Sequence, residues 1–481
     1  MGILSLIKKY QVQLTLLIIC IISLSLFYPS LNYYFFQDDW FVLNWVRSND
    51  FLSFFKFRTD IIYWRPLSMP LYFFLNYRLF GLNNLAFHAT AFLLFFALLL
   101  SIFFLFKLLT KDKKISLFAT FLYSTWSIHF MSLSWLSTTS YIIGSLFLCV
   151  SFILFLKYSA NKQSSYLILS FFIYLLALAS TELSVVYSIF LLSWILIKKK
   201  ENYRVLLPFF ASILIYIFFR FYIFPIPAKG EYEIAFNKQI INNLIWYIGW
   251  AFGLSERFKD LIIPKSPTQS FGFIIRYWSI TIPALALFIL SVYLGVRSSA
   301  NKVYIRNFLF GSLWFLLFLL PVLFLNNHSY SVYLSFAGLG LLYIMATFLN
   351  NVSNYWLLII GVLWIMTNYG TARFNRYTHW TVNEQAVSKA YIHYTKNVVK
   401  NPQPDSFFLF RPSDGNFAQS NNFVLVEDEN IIKQSLNDSS AVQVVYRDTT
   451  LKSLFARSLE PFEKPHGSTV YEIIPRVVRL E

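Results

Sequence analysis

Charge is what this sequence has least of. Only 13% of its 481 residues are Asp, Glu, Lys or Arg, where a soluble globular chain carries about 25%. The two cysteines, Cys20 and Cys149, both lie in apolar runs. That excludes a disulfide framework and a cysteine metal site, and both read as small hydrophobes. Internal repeats and low-complexity linkers are missing, and the tail carries no nucleotide-binding loop. The formal charge of +17 is not a nucleic-acid footprint. From Thr371 to Glu481, thirteen basic residues accompany twelve acidic ones. The excess therefore sits as short clusters between apolar runs, which is the pattern of membrane topology.

Hydrophobic residues fill the space that charge leaves. The chain is 57% apolar and 20% aromatic, with 54 Phe. Apolar runs recur through its first three quarters, and about 20 residues suffice for each crossing. They are continuous rather than alternating, which excludes a β-barrel. The expected fold is an all-α polytopic membrane protein with about 11 transmembrane helices and a small C-terminal α/β domain. Lys8 and Lys9 precede the first run, Val12 to Tyr28, which reads as a retained helix and not a cleaved signal. Its amino end is then cytoplasmic, and the clusters Lys111–Lys114, Lys157–Lys162 and Lys198–Arg204 fall on that same side.

The count turns on Ile240 to Leu254, a short Trp-rich run. If it lies at the interface, there are 11 passes and the tail is outside; if it crosses, there are 12 and the tail is inside. Arg297 and Lys302 favour 11. The boundary is expected at 370/371. Beyond it, TVNEQAVSKAYIHYTKNVV predicts a helix broken by NPQP. SFFLF, NFVLV, AVQVVY and STVYEII predict strands.

Up to Gly370 there are eleven acidic residues, and three stand apart. Asp38 and Asp39 lie in FFQDDWF, between aromatic segments that hold the chain near the interface. Two adjacent carboxylates at low dielectric repel unless a cation or a metal offsets them. Glu182, in LLALASTELSVV, has no charged neighbour between Lys162 and Lys198. An ionisable residue there marks a functional site, against the plainer reading of a first-turn acid in a helix capped by Ser180 or Thr181. Arg65 precedes Pro66, which keeps its backbone extended; a fixed arginine at the membrane surface suits a phosphate. Arg78, His88, His129, His328, Tyr330 and Tyr333 complete the polar set. His88 has the plainer reading of satisfying a backbone carbonyl near a helix start. All these groups map to one face, which points to an outer-face membrane enzyme. A lipid-linked glycan flippase or exporter is the alternative from another class, and it would need polar groups across the midplane.

The pieces QDDW, YWRPLS, GLNNLAFH, HFMSLSW, ASTE and HSYSVYLSFAGLG occur in this order. Their arrangement resembles the GT-C superfamily of polytopic glycosyltransferases. It is similar to the branch of protein O-mannosyltransferases and lipid A aminoarabinose transferases, and closest in motif order to the transmembrane O-mannosyltransferases with tetratricopeptide repeats. The tail shows no tetratricopeptide pattern. Thr181 stands where that branch often has Lys, and Ser329–Tyr330 where it commonly has Arg-Tyr, so neither sugar nor acceptor is inherited.

The resemblance implies transfer of a hexosyl or pentosyl group from a polyprenyl-phosphate donor to a protein, lipid or glycan acceptor. It implies a multi-pass protein of the plasma membrane, with its active site and tail outside. One of Asp38 and Asp39 is the general base, with motif position favouring Asp39. The other orients the acceptor or joins a divalent metal ion, and Glu182 supports either task. Arg65 is the first candidate to meet the leaving phosphate, then His129 and His328, with Tyr330 and Tyr333 as hydrogen-bond donors.

Overall fold

The protein is seen here as a computed structural model. It describes residues 3–59, 61, 63–198, 201–223, 232–234, 236–262, 272, 274–298, 302–326, 328–350, 352–412, 429–457 and 467–475. The amino-terminal half is helical: α1 (Ile3–Phe27), α2 (Asp38–Ser48), α3 (Tyr72–Phe80), α4 (Asn84–Thr110), α5 (Lys113–Ser124) and α6 (His129–Ser134). There follow α7 (Ser140–Asn161), α8 (Ser164–Leu178), α9 (Tyr187–Lys198) and α10 (Leu207–Ile223). Two short helices, α11 (Gln239–Ala251) and α12 (Phe258–Ile262), lead to α13 (Trp278–Ser298), α14 (Lys302–Leu323), α15 (Leu334–Leu349) and α16 (Asn354–Thr378).

Among the described residues, eight helical stretches are long and apolar enough to cross a membrane, against the 11 passes expected. The runs at 115–130, 166–179 and 185–197 are helical but short. Their helices α5, α8 and α9 have 12, 15 and 12 residues, shorter than the roughly 17 of one unbroken crossing helix. α5 is cut by the turn at Thr125–Trp126 that sets up α6, and α9 is preceded by a tighter 3-10 turn at Glu182–Val186. The expectation of about 11 passes did not include these breaks, because hydropathy does not register a turn buried among other helices.

The helices pack by aromatic interdigitation and by close backbone approach. At the crossing of α14 and α15, a Cβ on Gly311 would lie 2.7 Å from the Gly340 carbonyl oxygen. Small residues are what such a crossing requires in lipid, where packing rather than the hydrophobic effect drives association.

The tail adds α17 (Trp380–Val398), β1 (Phe407–Phe410), α18 (Glu429–Leu436), α19 (Ser440–Tyr446), β2 (Lys452–Phe455) and β3 (Val470–Ile473). The strands form a parallel sheet in the order β2-β1-β3. The expected strands in SFFLF and STVYEII appear as β1 and β3. NFVLV lies outside the described residues. AVQVVY is a correction: it is α19, a helix. Ala441, Val442 and Val444 are buried as it packs on α2. Arg447 closes it in a left-handed conformation, donating its N–H to Gln443. Packing overrides the β preference of valine. The expected boundary at 370/371 falls inside α16.

The tail sits against the first loop. The Gln37 N–H donates to the Ser435 carbonyl (3.0 Å), and Trp40 Nε1 donates to Ser388 Oγ (2.8 Å). Asn44 donates to Gln443 (2.7 Å). Loop and tail therefore share one face.

Candidate active site

Asp38 and Asp39 open α2, and the helix parts them. Successive residues on a helix project about 100° apart. Asp39 is fully buried: one oxygen accepts from the Ser137 N–H (2.9 Å) and Oγ (2.7 Å), the other from the Phe36 N–H (3.4 Å). Asp38 is half-buried and lines a cavity of about 960 Å³. The divergence begins at Gln37, whose φ of 48° lies in the left-handed region. Asp39, which motif position favours as base, is thus placed beneath the cavity lining and clamps the turn before α7.

Burial pushes the Asp39 carboxyl up from 3.8 to about 8, against the three donors that favour its charge. The folded state then binds more protons than the unfolded one between those values, so this residue's contribution to stability falls as pH rises from about 4 to about 8. Asp39→Asn should remove that slope. The check is thermal unfolding of both forms in detergent at pH 5 and pH 8, with a wild-type midpoint that drops relative to the variant at the higher pH.

Two of the sequence motifs meet at Arg65. The Leu67 N–H donates to the Ala179 carbonyl (3.1 Å), and Ser68 Oγ to the Ser180 carbonyl (2.6 Å), fastening YWRPLS to ASTE. Arg65 Nε then donates to Glu182 Oε2 (2.7 Å), and an Nη2 bond to Oε1 completes a fork. The same guanidinium reaches Tyr141 Oη (3.2 Å) and Ser140 Oγ (3.3 Å), and lies 4.6 Å from the Tyr63 ring centre. Burial would raise the Glu182 carboxyl, but Arg65 outweighs it and holds the group below the usual range. Thr181 does cap the turn that starts at Glu182, accepting from the Leu183 N–H (3.4 Å), so capping and pairing coexist. Thr181 also fills the space beside Gly144 on α7, where a Cβ would collide with its side chain.

Arg65 lines the same cavity as Asp38. So do His328, Tyr330 and Tyr333. The His328 ring sits 4.1 Å from that of Tyr232 and 4.8 Å from that of Tyr330, and Tyr333 meets Tyr141 edge-on at 5.3 Å.

His88 and His129, expected as substrate ligands, lie outside the cavity lining. His88 is buried with Nδ1 3.0 Å from the Leu133 carbonyl, its plainer reading. His129 is buried between Phe95 and Tyr123, with Nε2 2.9 Å from the Tyr123 carbonyl. Neither lines the cavity. Arg78 packs over Phe74.

The cavity has members that sequence reasoning missed. Glu256 accepts from the Ser331 N–H (2.7 Å) and lies 3.6 Å from His379 Nε2. Burial opposes its charge, yet His379 and Ser331 hold its carboxyl below the usual range. Lys259 bonds Ser329 Oγ, and burial pushes its ammonium down, against Asp260 and Glu256. The only signal for either was the density of charge in SERFKD, which reads equally well as a solvated loop.

Asp39 and Glu182 do not fit the divalent ion that the paired aspartates suggest. Both Asp39 oxygens face protein donors, and Glu182 is taken by the Arg65 fork. Among the described residues no group of three His, Cys, Asp or Glu stands close enough to hold an ion.

No protein-family model and no curated protein matches the chain. Among solved structures, the archaeal oligosaccharyltransferase AglB from Archaeoglobus fulgidus, in complex with an inhibitory peptide and a dolichol-phosphate, aligns at 14% identity with a TM-score of 0.46. The alignment covers 89% of this chain and 64% of that one.

Proposed function

We propose that this chain is a membrane glycosyltransferase, taking a sugar from a polyprenyl-phosphate carrier and passing it to an acceptor hydroxyl in the cavity. One observation carries the reading: a carboxylate, Asp38, and a tethered guanidinium, Arg65, face a common cavity of about 960 Å³. Asp38 takes the proton of the acceptor hydroxyl as its oxygen bonds to the anomeric carbon. The bond from that carbon to the carrier's phosphate oxygen breaks with inversion, and its electron pair stays on the phosphate. Arg65 meets the growing negative charge, with His328 and Lys259 near, and the Tyr330 and Tyr333 hydroxyls donate to it. Glu182 touches no substrate; it aims Arg65.

A lipid carrier also needs an apolar approach. Trp64, next to Arg65, stacks on Phe57 (4.9 Å), which stacks on Phe219 of α10 (5.6 Å). α10 exposes Phe218, Phe221 and Tyr222 around this ladder. The face assignment follows from α7, with Tyr141 in its first turn and Lys162 just past its last. Its 22 residues span about 33 Å, one hydrocarbon thickness, which supports a cavity opposite the basic clusters, on the extracytoplasmic side.

The test reconstitutes the full chain in proteoliposomes with polyprenyl-phosphate mannose, glucose or arabinose and measures free polyprenyl phosphate. Its release from at least one carrier is expected. Movement of intact carrier between leaflets with no release from any would replace the reading with that of a flippase.

A further inference from the structure

We infer that the acceptor is a saccharide, bound against the outer face of α18. This rests on the transferase reading and names the substrate class of its second subsite. α18 is two-faced. Ile432, Ser435 and Leu436 are buried against the tail, while Asn430, Lys433 and Gln434 line the cavity, with Asn437 and Asp438 in the turn that follows. Positions 430, 433 and 434 lie on one face of the helix, and that exposed polar face borders the cavity.

Two indoles line the same cavity. Trp135 and Trp380 are half-buried and meet edge-on at 5.2 Å, and Trp135 is backed by the stacked ring of Phe36 at 5.7 Å. Sugar rings need this pairing of surfaces. Their C–H faces lie on aromatic planes, and each hydroxyl both gives and takes a hydrogen bond, as a side-chain amide does in return.

The other acceptor classes fit less well. A peptide bound through its backbone would add to a strand edge or seat in a groove of main-chain groups, but the tail meets the cavity with helix side chains. A lipid acceptor would want an apolar wall, and this one is amide and charge. The wall also reaches the reacting centre. Ser435 of α18 accepts the N–H of Gln37, whose neighbour is Asp38, and Gln37 Nε2 holds the Glu384 carboxylate on the same cavity.

The experiment gives membranes containing the full chain a polyprenyl-phosphate sugar, radiolabelled in the sugar, and identifies what the label is bonded to. Partial acid hydrolysis should yield a labelled disaccharide. Asn430→Ala with Gln434→Ala should cut its formation about tenfold, as expected for two lost hydrogen bonds. Release of free labelled sugar to water, which uses Asp38 and Arg65 but no acceptor wall, should stay within about twofold. A labelled glycosyl amino acid after exhaustive proteolysis, or a labelled lipid yielding no disaccharide, would overturn the inference and leave the transferase standing. So would a double variant that forms disaccharide at the wild-type rate. Failure of every carrier to release its sugar would remove the transferase reading, and this inference with it.

Discussion

Replacing Asp38 by asparagine should slow sugar transfer by roughly 100- to 10,000-fold, the usual contribution of a positioned general base. The substitution keeps size and shape at a half-buried site, so thermal unfolding should move little. Initial rates at saturating carrier are the measurement. A variant that keeps more than about a tenth of the wild-type rate would remove Asp38 from the chemistry. Asp39→Asn is the informative partner. It alters the pH dependence of stability and not the base, so its transfer rate should exceed that of Asp38→Asn by at least about tenfold once both are compared as folded protein. The reverse order would return the role to Asp39, the residue that motif position favours.

Arg65→Ala should lower transfer by roughly 100- to 1,000-fold, the scale of losing one preorganised group at a developing negative charge. Arg65→Lys should recover little. A lysine keeps the charge but cannot hold the Glu182 fork while also reaching Ser140 and Tyr141. Glu182→Gln should cost less, about tenfold, because it loosens the arginine without removing it. The double variant should be no slower than Arg65→Ala alone, since Glu182 acts through Arg65. Strictly additive losses, measured as initial rates in the same membranes, would give Glu182 a task of its own.

What sequence alone made legible here was whatever repeats along the chain or breaks a pattern within it. Apolar runs announced the membrane domain, and charges out of keeping with those runs announced the Asp38–Asp39 pair, Arg65 and Glu182. Those three do come to one region, and the motif pieces carrying Arg65 and Glu182 are joined backbone to side chain. Which of Asp38 and Asp39 meets the cavity was beyond reach, because it depends on one helical step from a residue with unusual backbone geometry. His88 and His129 looked like His328 in sequence. A buried imidazole satisfied by a carbonyl differs from a cavity imidazole only in what surrounds it. The α18 wall and Glu256 were illegible for the same reason: each owes its place to partners distant in the chain. AVQVVY failed differently, since its local preference was real and packing on α2 outvoted it.

Gln37 deserves a last consequence. A non-glycine residue with positive φ costs about 1 to 2 kcal/mol, and this one is held by a carbonyl and a carboxylate that belong to segments translated long after it. The first loop therefore lacks these two partners while the chain is still emerging, and the turn before α2 gains their support only once α17 and α18 have been made.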